Sequence, residues 1–208
     1  AFPKILDGLP VTMGLAASSL FIGFFLAIVI ALLRGSRFRP LATAAYAFVY
    51  VFRGTPLLVQ LFLFYFVLAP IFGIDRFWTG VLCLSFFEGS FAAEIIRGGI
   101  TGVDQGQYES ADAIGLNNFD KYRFIVIPQS LPLILPPLTG LLISLIKHSA
   151  IVSVIAVSEL TTAGLNLIAD TFMAFEVWFL VAGIYLAVTI TLSVSVSLFE
   201  KSLNKNQR

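Results

Sequence analysis

One cysteine, one histidine and 12% charged residues leave this 208-residue chain few ionisable or metal-binding side chains, and each scarcity removes a class of function. Cys83 stands in an apolar run, so no disulfide can close within the chain, and packing is its expected role. A lone His148 cannot build the clustered cysteine and histidine ligands of a metal centre, and we expect it in a polar cavity or in packing. No G-x-x-x-x-G-K-[ST] stretch occurs, so the chain lacks a phosphate loop of its own. The net charge of +1 gives no reason to expect a nucleic acid partner.

Apolar residues, by contrast, make up 58% of the chain, with a mean hydropathy of +0.94. A soluble domain has about 45 to 50%. The excess points to a multi-pass membrane protein whose solvent is a lipid bilayer, and most of the 21 Phe are expected as lipid-facing bulk and filler between helices. The opening AFPKILDGLPVT lacks the charged region and short apolar core of a cleaved signal, so the first long run is read as a retained span.

A helix needs about 20 residues to cross roughly 30 Å of hydrocarbon. Runs of that kind lie at 13–33, 55–72, 77–96, within 131–157 and at 175–199, which predicts an all-α fold with five transmembrane helices. Residues 41–52 either extend the second helix or form an elbow. Arg34, Arg37, Arg39, Arg97, Lys121, Arg123, Lys201, Lys205 and Arg208 fall on one side of that arrangement, and Lys4 and Arg76 on the other. The positive-inside bias makes the first side cytoplasmic, so the N-terminus is expected outside and the C-terminus inside. Trp78 and Trp178 fall where outer-interface anchors belong, and Arg53 is placed to snorkel at the cytoplasmic start of the second span.

The fourth run is too long for one crossing and carries Lys147-His148-Ser149 where lipid opposes charge, so a break is expected there. Pro128, Pro132, Pro136 and Pro137 cluster toward its start, where missing backbone donors cost least, and are read as marking its entry into the membrane. Before it lies a polar insert, YESADAIGLNNFDKYRFIVIPQ (108–129). Residues 107–114 suit a short helix ended by Gly115, and Asn118 or Asp120 could cap a second. Such an elbow has no apolar core of its own, so a docking surface for another protein is its natural use.

The insert also resembles the cytoplasmic loop of the membrane subunits of ABC importers, whose pattern is E-A-A, three residues, G, nine residues, I-x-L-P. Glu109-Ser110-Ala111, Gly115 and Ile125-Val126-Ile127-Pro128 follow that spacing, with Ser110 and Ile127 as departures. "RGTPLLVQ" (53–60), "AAEIIRGGI" (92–100), "GQYESA" (106–111) and "SEL" (158–160) are similar to the polar amino acid branch. The resemblance implies one permease domain over 1–208 with a coupling loop at 98–130. In it, Glu109, Ser110, Ala111, Gly115, Ile125 and Pro128 would engage a separate ATPase. It further implies a non-catalytic permease with no cofactor of its own, ATP and Mg being held by two ATP-binding subunits. The other partners would be a second permease chain, identical or a near relative, and an extracytoplasmic amino acid binding protein. Five spans alone are also few for enclosing a gated path, which favours two chains about a two-fold axis.

A carboxylate within a span costs about 2.5 to 3.5 kcal/mol, so Glu88 needs a partner or a polar cavity. Ser85, Glu88 and Ala92 share a helix face. Against the family pattern, an acid at Glu88 suggests a cationic substrate such as arginine, lysine or histidine, while the plain alternatives are an ion pair with Lys147 or a protonated acid. Lys147 could instead meet a substrate carboxylate. Ser149, Ser153 and Glu159 complete the expected substrate-facing set, with interhelical hydrogen bonds or a solvated loop acid as their ordinary roles. Glu94 and Arg97 are read as a helix-surface pair. Two rival functions remain open to test. One is an ion-coupled carrier using Glu88 and Lys147. The other, a hydrolase built on Ser90 or Ser149 with His148, lacks a G-x-S-x-G elbow.

Overall fold

In hydrocarbon every backbone N–H and C=O must find its partner within the chain, and a helix does this locally. The computed structural model describes residues 2–205, all of its regular structure is helical, and Arg208 lies outside the described residues. Helices α1 (Phe2–Leu6), α2 (Leu9–Arg34) and α3 (Arg39–Gly54) are followed by α4 (Leu57–Leu63), a π-helical turn (Phe64–Leu68) and α5 (Ala69–Phe72). Then come α6 (Arg76–Thr101), α7 (Gln105–Ala113) and α8 (Asn118–Lys121). A second π-helical turn (Tyr122–Val126) leads into α9 (Ile127–His148), a 3-10 segment (Ser149–Ile155), α10 (Leu160–Thr171) and α11 (Ala174–Lys205).

Four helical stretches are each long and apolar enough to cross a bilayer, and the pair α3 and α4–α5 makes a fifth if counted as one bent span. The bend between them is 112°, so 41–52 forms an elbow and does not extend the second helix. Gln60 holds the bend. Its buried amide nitrogen reaches the carbonyls of Phe52 at 2.8 Å and Thr55 at 3.1 Å, the backbone oxygens freed where α3 stops before Pro56.

The centre of the structure is the crossing of α2 and α6. A Cβ on Gly23 would stand 3.0 Å from the Ser85 carbonyl oxygen, and one on Gly89 would stand 3.0 Å from that of Gly23. Lipid tails are as apolar as leucine, so helices in a bilayer associate through close backbone packing of this kind. Gly89→Ala should therefore cost about 1 to 3 kcal/mol through overpacking. Thermal unfolding of the purified chain reads this directly, and an unchanged midpoint would mean that the crossing has slack. Around the crossing Leu15, Leu61, Leu84, Leu145 and Val152 form the buried core. Phe48, Phe52, Phe64 and Phe86 interlock beside it, whereas Phe21, Phe66 and Phe72 are exposed as lipid-facing bulk.

Of the four prolines, Pro128 stands in the first turn of α9, where a missing donor costs least, whereas Pro132, Pro136 and Pro137 lie inside the helix. Pro128, Pro132 and Pro136 are four apart, so the donors missing at Pro132 and Pro136 face the carbonyls of Pro128 and Pro132, and these defects share one exposed stripe. The expected break falls at His148, where α9 stops. The chain tightens to 3-10 pitch from Ser149, and this segment ends at Ala156, which takes the left-handed conformation at φ 57°.

Candidate functional site

Glu88 is 4% exposed and faces α9, where its Oε1 lies 2.5 Å from Nδ1 of His148. The expected ion pair with Lys147 is replaced by this one. Successive residues of a helix differ by about 100° in direction, so only one of the two can face α6, and Lys147 is exposed instead. Among the described residues Lys147 makes no ion pair. A bare ammonium within a span costs about 2.5 to 3.5 kcal/mol, so a polar cavity or another chain against this face would stabilise it. Oε2 of Glu88 is buried without a hydrogen-bond partner, beside a cavity of about 60 Å³ lined by Ser19, Gly23, Gly89, Leu141 and Leu145. That volume holds a few water molecules at most.

The serines singled out from the sequence spend their hydroxyls on their own helices. Ser85 donates to the Val81 carbonyl at 2.6 Å, Ser149 to Ile146 at 2.7 Å and Ser153 to Ala150 at 2.8 Å. Ser85 and Ser149 are fully buried, and Ser153 is half-buried.

Glu159 is neither a solvated loop acid nor a cavity residue: it is 0% exposed. Its carboxylate caps α10, accepting from the backbone N–H of Thr161 at 2.8 Å and of Thr162 at 2.9 Å, and from the Tyr185 hydroxyl at 2.9 Å. The neighbouring Leu160 N–H goes to the Thr12 hydroxyl at 3.1 Å. Gly8 permits this approach, since a Cβ there would sit 2.7 Å from the Glu159 backbone carbon.

Glu94 was read as the partner of Arg97 alone, and the pair forms at 2.9 Å. Arg34 also reaches it at 2.5 Å and Arg53 at 3.4 Å. Sequence spacing shows only the i, i+3 neighbour; the other two arrive through the α2 crossing and the α3 bend.

The insert is the two-helix elbow anticipated, with shifted boundaries. Asp104 caps α7 through Gly106 N–H at 2.8 Å, and Asn117, not Asn118 or Asp120, caps α8 through Asp120 N–H at 3.0 Å. Gly115 ends α7 in the left-handed region, φ 78°. Its N–H bonds the Asp112 carbonyl at 3.0 Å and the next N–H, of Leu116, bonds Ala111 at 3.1 Å, the paired closure of a Schellman motif. The elbow is fastened to the spans by Tyr108 to the Ile100 carbonyl at 2.9 Å and Gln129 to Gln107 at 2.9 Å, and a Lys121–Asp112 ion pair ties its two helices together. Burial, aided by the nearby Tyr122, holds the Tyr108 phenol above its ordinary pKa, so it remains a donor. Ala111 is buried, Ile125 half-buried, and Glu109, Ser110, Gly115 and Pro128 are exposed. So are Ile114, Phe119 and Phe124, 73%, 69% and 63% accessible, an apolar surface on the elbow.

Comparison with known proteins agrees with this arrangement. The family model described as "Binding-protein-dependent transport system inner membrane component" matches residues 2–205. The nopaline transport system permease protein NocM of Agrobacterium fabrum is 36% identical, over 100% of this chain and 91% of its own length. The arginine transport system permease protein ArtQ of Bacillus subtilis is 36% identical, over 98% and 94% respectively. A solved amino acid ABC transporter with histidines superposes at a TM-score of 0.91 with 38% identity, covering 97% of this chain and 94% of that one. The inward-facing MetNI methionine ABC transporter shares the fold at a TM-score of 0.79 and 19% identity. This multi-pass chain therefore belongs to the family of inner membrane components of binding-protein-dependent transport systems.

Proposed function

We propose that the chain is the transmembrane subunit of an ATP-driven importer of amino acids with cationic side chains. It works as one of two permease chains, a homodimer, with two ATP-binding subunits inside and an amino acid binding protein outside. The N-terminus lies outside and the C-terminus in the cytoplasm, in keeping with the distribution of Arg and Lys. ATP and Mg belong to the partner ATPases.

The observation that carries this reading is the elbow 98–130. It exposes Ile114 and Phe119 yet is tied to α6 and α9 by side-chain bonds, so a force applied to its surface passes into the spans. Glu109, Ser110, Gly115 and Pro128 form the outer contact surface, and Ala111 and Ile125 pack beneath it. ATP-driven closure of the motor subunits would then rock the spans in alternating access.

Glu88 supports the cationic preference. A guanidinium, ammonium or imidazolium group displaces His148 and takes both carboxylate oxygens, including the unpartnered Oε2. The small cavity beside it must widen for this, which places binding in a different state of the transport cycle. Exposed Lys147 faces the path between the two chains, where a substrate carboxylate passes. Ser85, Ser149 and Ser153 shape the surroundings with their hydroxyls already engaged, and Glu159 is left out of the substrate group. The names of the relatives, nopaline and arginine permeases among them, are in keeping with this choice.

The test is reconstitution of the chain with its ATPase in vesicles, with arginine-loaded binding protein on the outside. Uptake should require nucleotide; uptake driven by an ion gradient alone would favour the carrier reading. Gly115→Ala strains the left-handed closure by about 1 kcal/mol. Uptake per ATP should therefore fall about fivefold while hydrolysis continues, and unchanged coupling would remove the elbow from the mechanism.

A further inference from the structure

Where α2, α3 and α6 meet, three guanidinium groups surround one carboxylate: Arg34, Arg53 and Arg97 around Glu94. The cluster keeps two positive charges beyond what Glu94 can balance. The Arg34 side chain is 6% exposed, and its Nε, like that of Arg97, is buried with no hydrogen-bond partner. A cavity of about 420 Å³ opens here, lined among others by Arg34, Arg53, Glu94, Tyr46, Tyr50 and Phe91.

The guanidinium planes are held by aromatic rings. Arg34 lies 4.3 Å from the centroid of Tyr46, and Arg53 lies 5.0 Å from that of Phe91. A planar donor fork held in place is suited to the oxygens of a phosphate, and two phenols on the cavity wall, Tyr46 and Tyr50, add hydroxyl donors. A carboxylate inside the cluster fixes the arginines without cancelling them.

We propose that this cavity binds the phosphate of an anionic phospholipid headgroup. A phosphate-bearing solute shares the chemistry, but the surroundings favour lipid. Leu41, Tyr50 and Val51 are exposed along the same helix, 44%, 82% and 53% accessible, and provide an apolar flank for acyl chains. Arg37 and Arg39, exposed at the start of α3, add charge of the sign that anionic leaflets attract. The site lies on α3 just before its 112° bend, so an occupied cavity would pin α2, α3 and α6 together at this end of the bundle.

The experiment uses the whole complex with its ATPase, exchanged into phosphatidylcholine micelles with or without phosphatidylglycerol. Native mass spectrometry counts retained lipid, and thermal unfolding reads its effect on stability. Phosphatidylglycerol should be retained in preference to phosphatidylcholine and raise the unfolding midpoint. Arg53→Gln, at a side chain 40% exposed, should cut retention about tenfold, the loss of one charge-assisted hydrogen bond. Arg53→Lys should fall between the two. If Arg53→Gln fails to fold, Tyr50→Phe on the exposed rim should give a smaller loss of the same kind. Equal retention of both lipids, or retention unchanged in Arg53→Gln and Tyr50→Phe, would overturn the proposal. Inorganic phosphate that raises the midpoint as much as phosphatidylglycerol does would keep the phosphate chemistry but refute the lipid as its source.

Discussion

Glu159→Ala is expected to destabilise the chain by about 2 to 3 kcal/mol, from a lost cap worth about 0.5 to 2 and buried donors left short of an acceptor, about 1 to 3. The carboxylate takes two backbone N–H groups of α10 and the hydroxyl of Tyr185, and with no exposed surface no water can replace it. Alanine leaves the two N–H groups facing a void and the Tyr185 hydroxyl to the Thr161 hydroxyl, at 3.1 Å. Glu159→Gln keeps one acceptor oxygen but turns an amide NH₂ toward donors, so about half the loss should remain. Thermal unfolding of the purified chain measures both. If Glu159 instead handled substrate, Glu159→Ala would leave the midpoint in place and abolish stimulation by the binding protein, the reverse of what is expected.

The second large effect is expected at Glu88. Glu88→Gln keeps the volume and one acceptor for His148 but cannot offer a carboxylate to a cation. A charge-assisted hydrogen bond contributes about 1.5 to 3 kcal/mol, so uptake of arginine or lysine should fall roughly ten- to a hundredfold. Uptake of a neutral amino acid delivered by the same complex should change little, and assembly should survive. The comparison between substrates is the decisive measurement: an equal fall for both would make Glu88 a structural partner of His148 and end the argument for cationic preference.

Much of the architecture was legible in the sequence because bilayer thickness fixes the length of a span, and a polar insert between apolar runs has nowhere to go but water. Gly115 was readable as a helix stop because few residues suit the left-handed turn it takes. Partners were harder to read. That Glu88 meets His148 and not Lys147 depends on the rotation of α9 against α6, a 100° matter that no spacing within either helix reveals. Arg34 and Arg53 reach Glu94 only because the chain crosses at Gly23–Gly89 and doubles back at Gln60. Glu159 reads as a loop acid because it follows the end of a long apolar run; the signal for its true role is Thr161-Thr162 just after it, the start of a helix in need of an acceptor. The prolines inside α9 misled for a physical reason: a helix tolerates several missing donors when they fall on one stripe.

From Asn118 to Ile155 the chain is one helical rod of 38 residues, α-helical over Ile127–His148 with a π-helical turn before it and a 3-10 segment after it. The rod carries the second half of the elbow at one end and His148 toward the other, with missing rungs at Pro132, Pro136 and Pro137 between them. On the proposed reading, a push on the elbow would reach the buried acid with no loop in between to absorb it, and a tilt of the rod would move the imidazole that holds Glu88.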